Sequence, residues 1–245
     1  MKISKPDFSK ITPQHFGDHL DQRVLALLAA VEKSEAYRSV FAAEAEPRYI
    51  ATVVKHVLLE VFSYGPHVTE ATFTAIGRFP KKEVKFMEKL ALHDVEEADH
   101  GEMALVDAVK LGLDENWARE RRITPESFAM GAAVRLIATQ LNPFAYLGYM
   151  YPFEALTPIL TQRLQKVLAA KQFPDHATHF VDYHAVADIG HAATLRKLIE
   201  EVVGKYPEAK AEIDYAFDVF TCVYPLPIWA TCVARAYEEL GGKSV

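Results

Sequence analysis

Two histidines and a carboxylate share one face of a helical segment near residue 188. His184, Asp188 and His191 stand at positions i, i+4 and i+7, so all three project from one side over two turns. The residues between them are mostly apolar, and buried imidazole and carboxylate groups are costly unless something satisfies them. The stripe predicts a divalent metal site. The alternative is a helix face whose histidines hydrogen-bond to their neighbours.

A second segment rich in acids and histidines covers residues 93–102. Glu97 and His100 are three residues apart, the spacing at which one helix of a carboxylate-bridged metal bundle supplies a carboxylate and an imidazole. His93 lies on the same stripe, four residues before Glu97, as an alternative ligand or a partner of one. The other acids are typical of a solvated face, which is the competing interpretation of the whole segment.

The third element is an isolated carboxylate, Glu154. It is the one acid between Glu126 and Asp175, and aromatic residues and prolines surround it. Such a carboxylate is rarely part of a merely solvated face. It is therefore predicted to be a metal ligand, or else a buried ion-pair partner of Arg135 or Arg163.

Together these positions offer three carboxylates and three imidazoles. A mixed nitrogen and oxygen set suits iron or manganese, whereas zinc usually takes four ligands and calcium avoids imidazole. Iron in such a site predicts O2 activation. Three carboxylates leave two ferrous ions with net positive charge, so an anionic group of a substrate can dock at the metals.

The elements that must position these residues are helices. Apolar residues recur at three- and four-residue spacing, and alternating strand patterns are nearly absent. Helices are predicted at about 14–34, 47–77, 80–112, 126–151, 153–171, 175–204 and 208–239, the last kinked near Pro225. Pro143, Pro152 and Pro158 are expected to kink or divide the middle of the chain. No linker is visible, so residues 1–245 are predicted to form one all-α domain, a bundle of seven helices.

Composition limits the classes of function. The chain has 245 residues and a net charge of -6, without the basic stripe of a nucleic-acid-binding protein. Cys222 and Cys232 are too far apart along a helix for a disulfide, unless the chain bends sharply at Pro225 and Pro227, and they indicate a reducing compartment. The N-terminus lacks the apolar run of a secretory signal, and no membrane span is evident. The expectation is a soluble cytoplasmic protein with neither nucleic acid nor membrane as a partner.

The order of these residues resembles the haem-oxygenase-like di-iron oxidases and oxygenases. These belong to one superfamily with the thiaminase-II-like proteins and the pyrroloquinoline quinone synthase. The resemblance covers roughly residues 45 to 235, with Tyr151 three residues before the lone acid. It implies a haem-oxygenase-like fold and six iron ligands, Glu97, His100, Glu154, His184, Asp188 and His191. It assigns His184 to one iron with Glu97 and His100, Asp188 and His191 to the other, and Glu154 as the bridge.

One departure from the family pattern concerns the first pair of ligands. Many members space it as Glu-x6-His, which would place the acid at position 93, where this chain has His93. The Glu97-x2-His100 spacing resembles the branch that converts medium-chain fatty acids to terminal alkenes. A literal Glu-x6-His occurs at Glu60 and His67, in the preceding helix. These two residues and His93 are therefore second choices as ligands.

The resemblance also implies chemistry. Family reactions include oxidative decarboxylation or fragmentation, N-oxygenation and rearrangement of amino acids, with two iron ions as cofactor and O2 as cosubstrate. It implies a small carboxylate or amino-acid-like substrate. A reductase or another external reductant is a possible partner, and a homodimer is a possible oligomeric state. Arg135, Arg163 and Arg196 are candidates to pair with a substrate carboxylate. Candidates for the cavity wall are aromatic: Phe62, Tyr64, Tyr151, Phe153 and Tyr183.

Two other functional classes stay open at this stage. One is a metal-free member of the superfamily, either a thiaminase-like hydrolase or a cofactorless oxidase. Thiaminase-like members use a nucleophilic cysteine in the middle of the bundle, whereas the cysteines here lie near the C-terminus. The other is a non-enzymatic helical interaction protein whose buried acids and histidines pair with one another. Metal content separates both from a di-iron enzyme.

Overall fold

Capping residues mark where several helices begin. The side chains of Thr12, Asp114 and Thr124 each accept a hydrogen bond from a backbone N–H in the first turn that follows, and proline stands in the first turn after Thr12 and Thr124. The computed structural model describes residues 7–173 and 177–242. Within them the α-helices are α1 (Pro13–Lys33), α2 (Glu35–Phe41), α3 (Pro47–Arg78), α4 (Val84–Glu97), α5 (His100–Lys110), α6 (Glu115–Glu120), α7 (Pro125–Gln140), α8 (Tyr146–Ala170), α9 (His179–Lys205), α10 (Ala209–Val223) and α11 (Leu226–Glu239), with a short 3-10 helix at Pro143–Ala145.

The all-α class is confirmed, but several predicted boundaries are wrong. The predicted helix 80–112 is two helices, because the chain turns at Ala98 and Asp99. The break predicted at Pro152 lies earlier, at Leu141 and Asn142, where the Asn142 side chain accepts from the N–H of Phe144. Helix α8 then continues through Pro152. Residues 175 and 176 of the predicted sixth helix lie outside the described residues, and α9 is described from His179 onwards.

The long helices pack around two apolar clusters that share Val57 and Val61 of α3. Helix α3 contacts α4, α5, α7 and α11, while α8 lies against α9 and α10. Helix α1 covers α9. This packing brings the segments that carry the predicted metal ligands, in α4, α5, α8 and α9, to the middle of the molecule.

The contact between α8 and α10 depends on the absence of a side chain at Gly148. A Cβ atom built there would lie 1.9 Å from the backbone carbonyl oxygen of Ile213, which belongs to α10 and cannot move aside alone. We expect Gly148→Ala to lower the free energy of unfolding by roughly 3 kcal/mol, at the upper end of overpacking effects. Urea denaturation measures this. Gly77→Ala, where a Cβ meets nothing within 4 Å, should instead be neutral or stabilising; equal effects at both sites would contradict the close approach.

The segment Ala209–Glu239 is long and apolar enough, by length and composition, to be a candidate membrane span. The structure divides it, because the backbone is extended at Tyr224, where α10 ends before α11 begins. Helices α10 and α11 have 15 and 14 residues, fewer than the roughly 20 needed to cross a bilayer as a helix. Both contribute buried residues to the core.

Candidate metal centre

The six predicted ligand residues come together in the structure, and His93 joins them. Helix α4 supplies His93 and Glu97, α5 begins with His100, and α8 supplies Glu154. The stripe of α9 supplies the rest, as its helical spacing predicted. Most of these side chains are buried, with His184 and Asp188 at 5% and 2% exposure. We call this set the histidine–carboxylate cluster: His93, Glu97, His100, Glu154, His184, Asp188 and His191.

One half of the cluster consists of Glu97, His100 and His184. The Nδ1 atom of His100 lies 2.6 Å from Oε2 of Glu97 and 3.0 Å from Nε2 of His184. His184 donates its Nδ1–H to the carbonyl of Phe180, at 2.7 Å, which leaves Nε2 as a lone-pair atom. Two acceptors therefore converge on one N–H of His100, an arrangement in which a metal ion can replace the proton.

The other half surrounds Nδ1 of His191. This atom lies 3.2 Å from Oε1 of Glu97, 3.4 Å from Oε2 of Glu154 and 3.6 Å from Oδ1 of Asp188. His93 completes the group, with its Nε2 atom 3.4 Å from Oε1 of Glu154. Three carboxylates and two imidazoles thus face one small volume.

Glu97 is the residue that both halves share. Its two carboxylate oxygens point to different histidines, His100 and His191, and it belongs to every candidate metal group found among the described residues. Glu154 contacts only the second half. Glu97 is therefore the carboxylate that approaches histidines of both halves, whereas the bridge expected from the resemblance is Glu154. The turn at Ala98 and Asp99 also means that Glu97 and His100 meet across a break between two helices.

Buried polar atoms without hydrogen-bond partners indicate whether these residues could bind a metal ion. Buried side-chain atoms without a hydrogen-bond partner include one from each of His93, Glu97, Glu154, Asp188 and His191. Each such atom costs about 1–3 kcal/mol when it is left unpaired. Here the unpaired atoms lie close together and face one another, so one cation can satisfy several at once. The donor set, imidazole nitrogen with carboxylate oxygen, is the set that iron binds.

The pKa shifts of the cluster residues also favour a bound positive charge. Asp188, then Glu154 and Glu97, raise the pKa of His191 far above its ordinary value. Burial, with the negative charges of Glu154 and Glu97, raises the pKa of Asp188 to about 7, although His191 opposes this. Burial opposes the ionisation of Glu97, but the adjacent imidazoles of His100 and His191 hold its pKa far below the usual range. Burial lowers the pKa of His184, which favours the neutral imidazole.

Asp107 fixes the start of the helix that carries the stripe. Its Oδ2 atom accepts the backbone N–H of Phe180 at 2.8 Å, and Oδ1 lies 3.1 Å from Nζ of Lys110. Phe180 in turn accepts the Nδ1–H of His184 and lies with its ring 3.9 Å from the imidazole. Asp107 holds the backbone of Phe180, and Phe180 holds Nδ1 of His184. Asp107 therefore helps to orient the Nε2 atom of His184 toward the cluster.

We expect Asp107→Ala to weaken metal binding about tenfold, because His184 loses its orientation. Titration of the purified protein with Fe²⁺ under anaerobic conditions measures this. Asp114→Ala, which removes the side-chain cap of α6 and changes no residue of the cluster, is the matched control and should leave the affinity unchanged. Equal affinities of the wild type and Asp107→Ala would show that Asp107 serves the fold alone.

A cavity of about 330 Å³ opens beside the cluster. Its wall includes Glu97, Glu154 and Asp188 at one side, while the remainder is mostly apolar and reaches α2 at Val40 and Phe41. Three of the five predicted aromatic wall residues are part of it: Phe62, Tyr64 and Phe153. The cavity is at the small end of the range of small-molecule sites.

Other sequence predictions fall outside the cavity wall. Tyr151 is turned to α1, where its hydroxyl donates to Asp21, as a buried phenol must find a partner. Tyr183 packs edge-on against His100 and does not line the cavity. The three arginines proposed for a substrate carboxylate are all engaged elsewhere, each with acidic residues: Arg135, Arg163 and Arg196.

The second-choice ligands do not join the cluster. Glu60 is buried, but it accepts hydrogen bonds from Arg121, Arg235, Thr124 and Ser127, which satisfy both of its oxygens. His67 accepts from Arg135 near the surface of α3, at 3.0 Å. His93 is the one second choice that the structure brings to the cluster.

Sequence reasoning missed Asp94, Asp107 and the part of the apolar wall that α2 supplies. Asp94 stood in the acidic segment 93–102 among residues that looked solvated, yet it is 2% exposed. Its position three residues before Glu97 was the available signal. Nothing near Asp107 in the sequence indicates the contact with Phe180, 73 residues away.

Comparisons with solved structures show the fold. A domain of unknown function from Shewanella denitrificans, described as having a heme oxygenase-like fold, superimposes with a TM-score of 0.76 at 18% identity, over 93% of this chain and 96% of that one. A TenA homologue from Pseudomonas syringae gives 0.71 at 13% identity, over 97% and 99%. A TenA homologue from P. horikoshii gives 0.67 at 13%, over 90% and 99%. No curated protein matches the chain by sequence.

The family comparison concerns the part of the chain that holds the cluster. The family model described as an iron-containing redox enzyme matches residues 85–218, more than half of the chain. This range contains all seven cluster residues, from His93 to His191. The chain therefore belongs to the iron-containing redox enzyme family and has the haem-oxygenase-like fold.

Proposed function

We propose that the protein is a non-haem di-iron oxidase or oxygenase that uses O2 to transform a small carboxylate or amino-acid-derived substrate. The observation that carries this proposal is the pair of candidate metal-binding groups that share Glu97 beside a mostly apolar cavity. One iron would lie among Glu97, His100 and His184. The other would lie among Glu97, Glu154, Asp188 and His191, with His93 next to it.

Iron bound there would supply the electrons and the open coordination positions for O2. The protein's own contribution is geometric and electrostatic. His184 offers Nε2 because Phe180 holds its other nitrogen, and Glu97 sets the spacing between the halves. The apolar wall from α3 would limit the access of water to the reacting groups once substrate fills the cavity. Oxidative decarboxylation and N-oxygenation both remain within this proposal.

The charges around the cavity favour a substrate whose carboxylate binds to the metal ions. Neither lysine nor arginine occurs among the described residues that line the cavity, so the wall offers no cationic side chain to an anionic group. Two ferrous ions with three carboxylate ligands carry one net positive charge. A substrate carboxylate would therefore bind at the metals, with its body along the apolar wall.

The test begins with iron content and O2 uptake. Protein loaded anaerobically with Fe²⁺ should bind two ions per chain and should consume O2 faster when short-chain carboxylates or amino acids are added. His184→Ala and Glu154→Ala should each lower the iron content. His67→Ala is a matched control, because its imidazole lies outside the cluster. Unchanged iron binding in both ligand variants would exclude this centre.

The structural likeness to TenA homologues favours a second candidate, a metal-free thiaminase-like hydrolase. Such a reaction needs a reactive thiolate. Burial raises the pKa of the Cys232 thiol, while Cys222 is exposed. Neither cysteine lines the cavity. A hydrolase would lose its activity on Cys232→Ser without any change in iron content, whereas the di-iron enzyme would keep its O2 uptake.

The proposal also includes an electron donor, a cellular location and an oligomeric state. Repeated turnover of an iron centre with O2 calls for an external reductant or a reductase when the substrate does not supply all the electrons. We propose a cytoplasmic protein that acts without nucleic acid or membrane, and a homodimer as its oligomeric state. Size-exclusion chromatography with light scattering tests the last point.

A further inference from the structure

Asp94 is a buried carboxyl group in the cavity wall that the metal centre does not use. It follows His93 in α4, is 2% exposed, and belongs to none of the candidate metal groups. Its Oδ2 atom has no hydrogen-bond partner. A buried acceptor without a partner is costly, so its presence in a cavity wall points to a ligand that supplies the missing donor.

Comparison with the other buried carboxylates sets Asp94 apart. Outside the histidine–carboxylate cluster, the other buried acids of the described residues each have a basic side chain within salt-bridge distance: Glu60 with Arg121, Glu83 with Lys205, Asp107 with Lys110, and Asp214 with Arg23. No Lys or Arg salt bridge is found for Asp94, and no lysine or arginine lines the described part of the cavity. No lysine or arginine of the described residues therefore balances the charge of this carboxylate.

The surroundings of Asp94 suit a positive charge with N–H donors. Tyr146 and Tyr149 line the same cavity, with ring centroids 6.4 Å apart. The Tyr146 hydroxyl is engaged with Thr72 at 2.6 Å, whereas the buried Tyr149 hydroxyl has no partner. Aromatic faces attract ammonium groups, and a carboxylate accepts their hydrogen bonds. A hydroxyl without a partner adds a further polar contact.

We propose that Asp94 is the subsite for the protonated amine of the substrate, in the cavity that Tyr149 also lines. The substrate would then carry an anionic group for the metals and an ammonium group for Asp94, which excludes simple hydrocarbon acids as the best ligands. The metal-binding end of this substrate rests on the proposed function. The amine end stands on Asp94 alone and can be tested without iron.

The experiment compares hexylamine with hexanol, which have the same chain but differ in charge. Isothermal titration at pH 7.5 is run on the metal-free full chain and on the Mn²⁺-loaded full chain. We expect hexylamine to bind the wild type about ten- to a hundredfold more tightly than hexanol, as for a hydrogen bond to a charged group. Asp94→Asn should remove this preference. Asp99→Asn, an exposed acid five residues away, is the matched control for charge and should keep it.

The melting temperature and the metal content of the Asp94 variants are measured as well. Asp94→Leu removes an unpaired buried acceptor, so its melting temperature should equal or exceed that of the wild type. Unfolding of both Asp94 variants, loss of metal from Asp94→Asn, or an unchanged amine preference in that variant would each overturn the subsite. If the wild type binds no metal but prefers hexylamine through Asp94, the proposed function fails while the amine subsite stands.

Discussion

Glu97→Gln should abolish the stoichiometric binding of both iron ions. The carboxylate contacts His100 through one oxygen and His191 through the other, and both candidate metal positions depend on it. An amide keeps the size of the side chain but removes the negative charge and one acceptor. Loss of a ligand that orients its neighbours costs about 10–100-fold in affinity, so loss of a shared ligand should weaken both sites by on the order of 100-fold or more.

Glu96→Gln is the matched control for this prediction. Glu96 precedes Glu97 and touches Nε2 of His191 at 3.1 Å, but its side chain is 62% exposed. Because it approaches the imidazole from the solvent side, its loss should change the iron content little. Iron per chain after desalting, measured by plasma emission spectrometry, gives both results. If Glu97→Gln retained two ions, or if the two variants were equally affected, Glu97 would not hold the centre together.

Metal affinity should fall steeply as the pH is lowered. A ligand must lose its proton before it binds, and metal uptake releases that proton. The pKa of Asp188 is raised to about 7 by burial, and that of His191 lies far above its ordinary value. Above pH 7 His191 releases a proton when the metal binds, so the affinity should fall at least about tenfold for each pH unit by which the pH is lowered; below pH 7 Asp188 releases one as well, and the fall should be steeper.

Competition with a chelator between pH 6 and 8 measures this slope, and calorimetry in buffers of different ionisation enthalpy counts the protons released. Asp188→Asn cannot take up the second proton, so its affinity should be lower but less dependent on pH below 7. A slope that is flat over this range in the wild type would contradict the arrangement around His191.

The shared face of α9 could be predicted from the sequence, because the period of a single helix fixes the relative positions of its residues. His184, Asp188 and His191 share a helix, and 3.6 residues per turn fix their relative positions before any tertiary contact forms. Glu97 and His100 were identified by the same rule, yet the structure breaks the helix between them. Their contact survives because His100 is the first residue of α5 and still reaches back to Glu97. Which carboxylate stands between the two halves depends on how helices pack, and spacing alone does not carry that information.

Glu60 shows why sequence alone cannot separate a structural acid from a ligand. Its spacing to His67 fits the family pattern better than that of Glu97, but its oxygens are satisfied by side chains 61 to 175 residues away. Asp94 is the opposite case. It stands among acids that are exposed, and only the packing of α4 shows that it is buried without a basic partner. In both residues the surroundings are set by distant parts of the chain.

Diffraction from a crystal soaked anaerobically in Fe²⁺, with data collected on both sides of the iron absorption edge, tests the central claim most directly. We predict two anomalous peaks on either side of the Glu97 carboxylate, one next to Nε2 of His184 and the other next to Nδ1 of His191. No peak within coordination distance of these atoms, or iron bound only at Glu60 and His67, would contradict the di-iron centre.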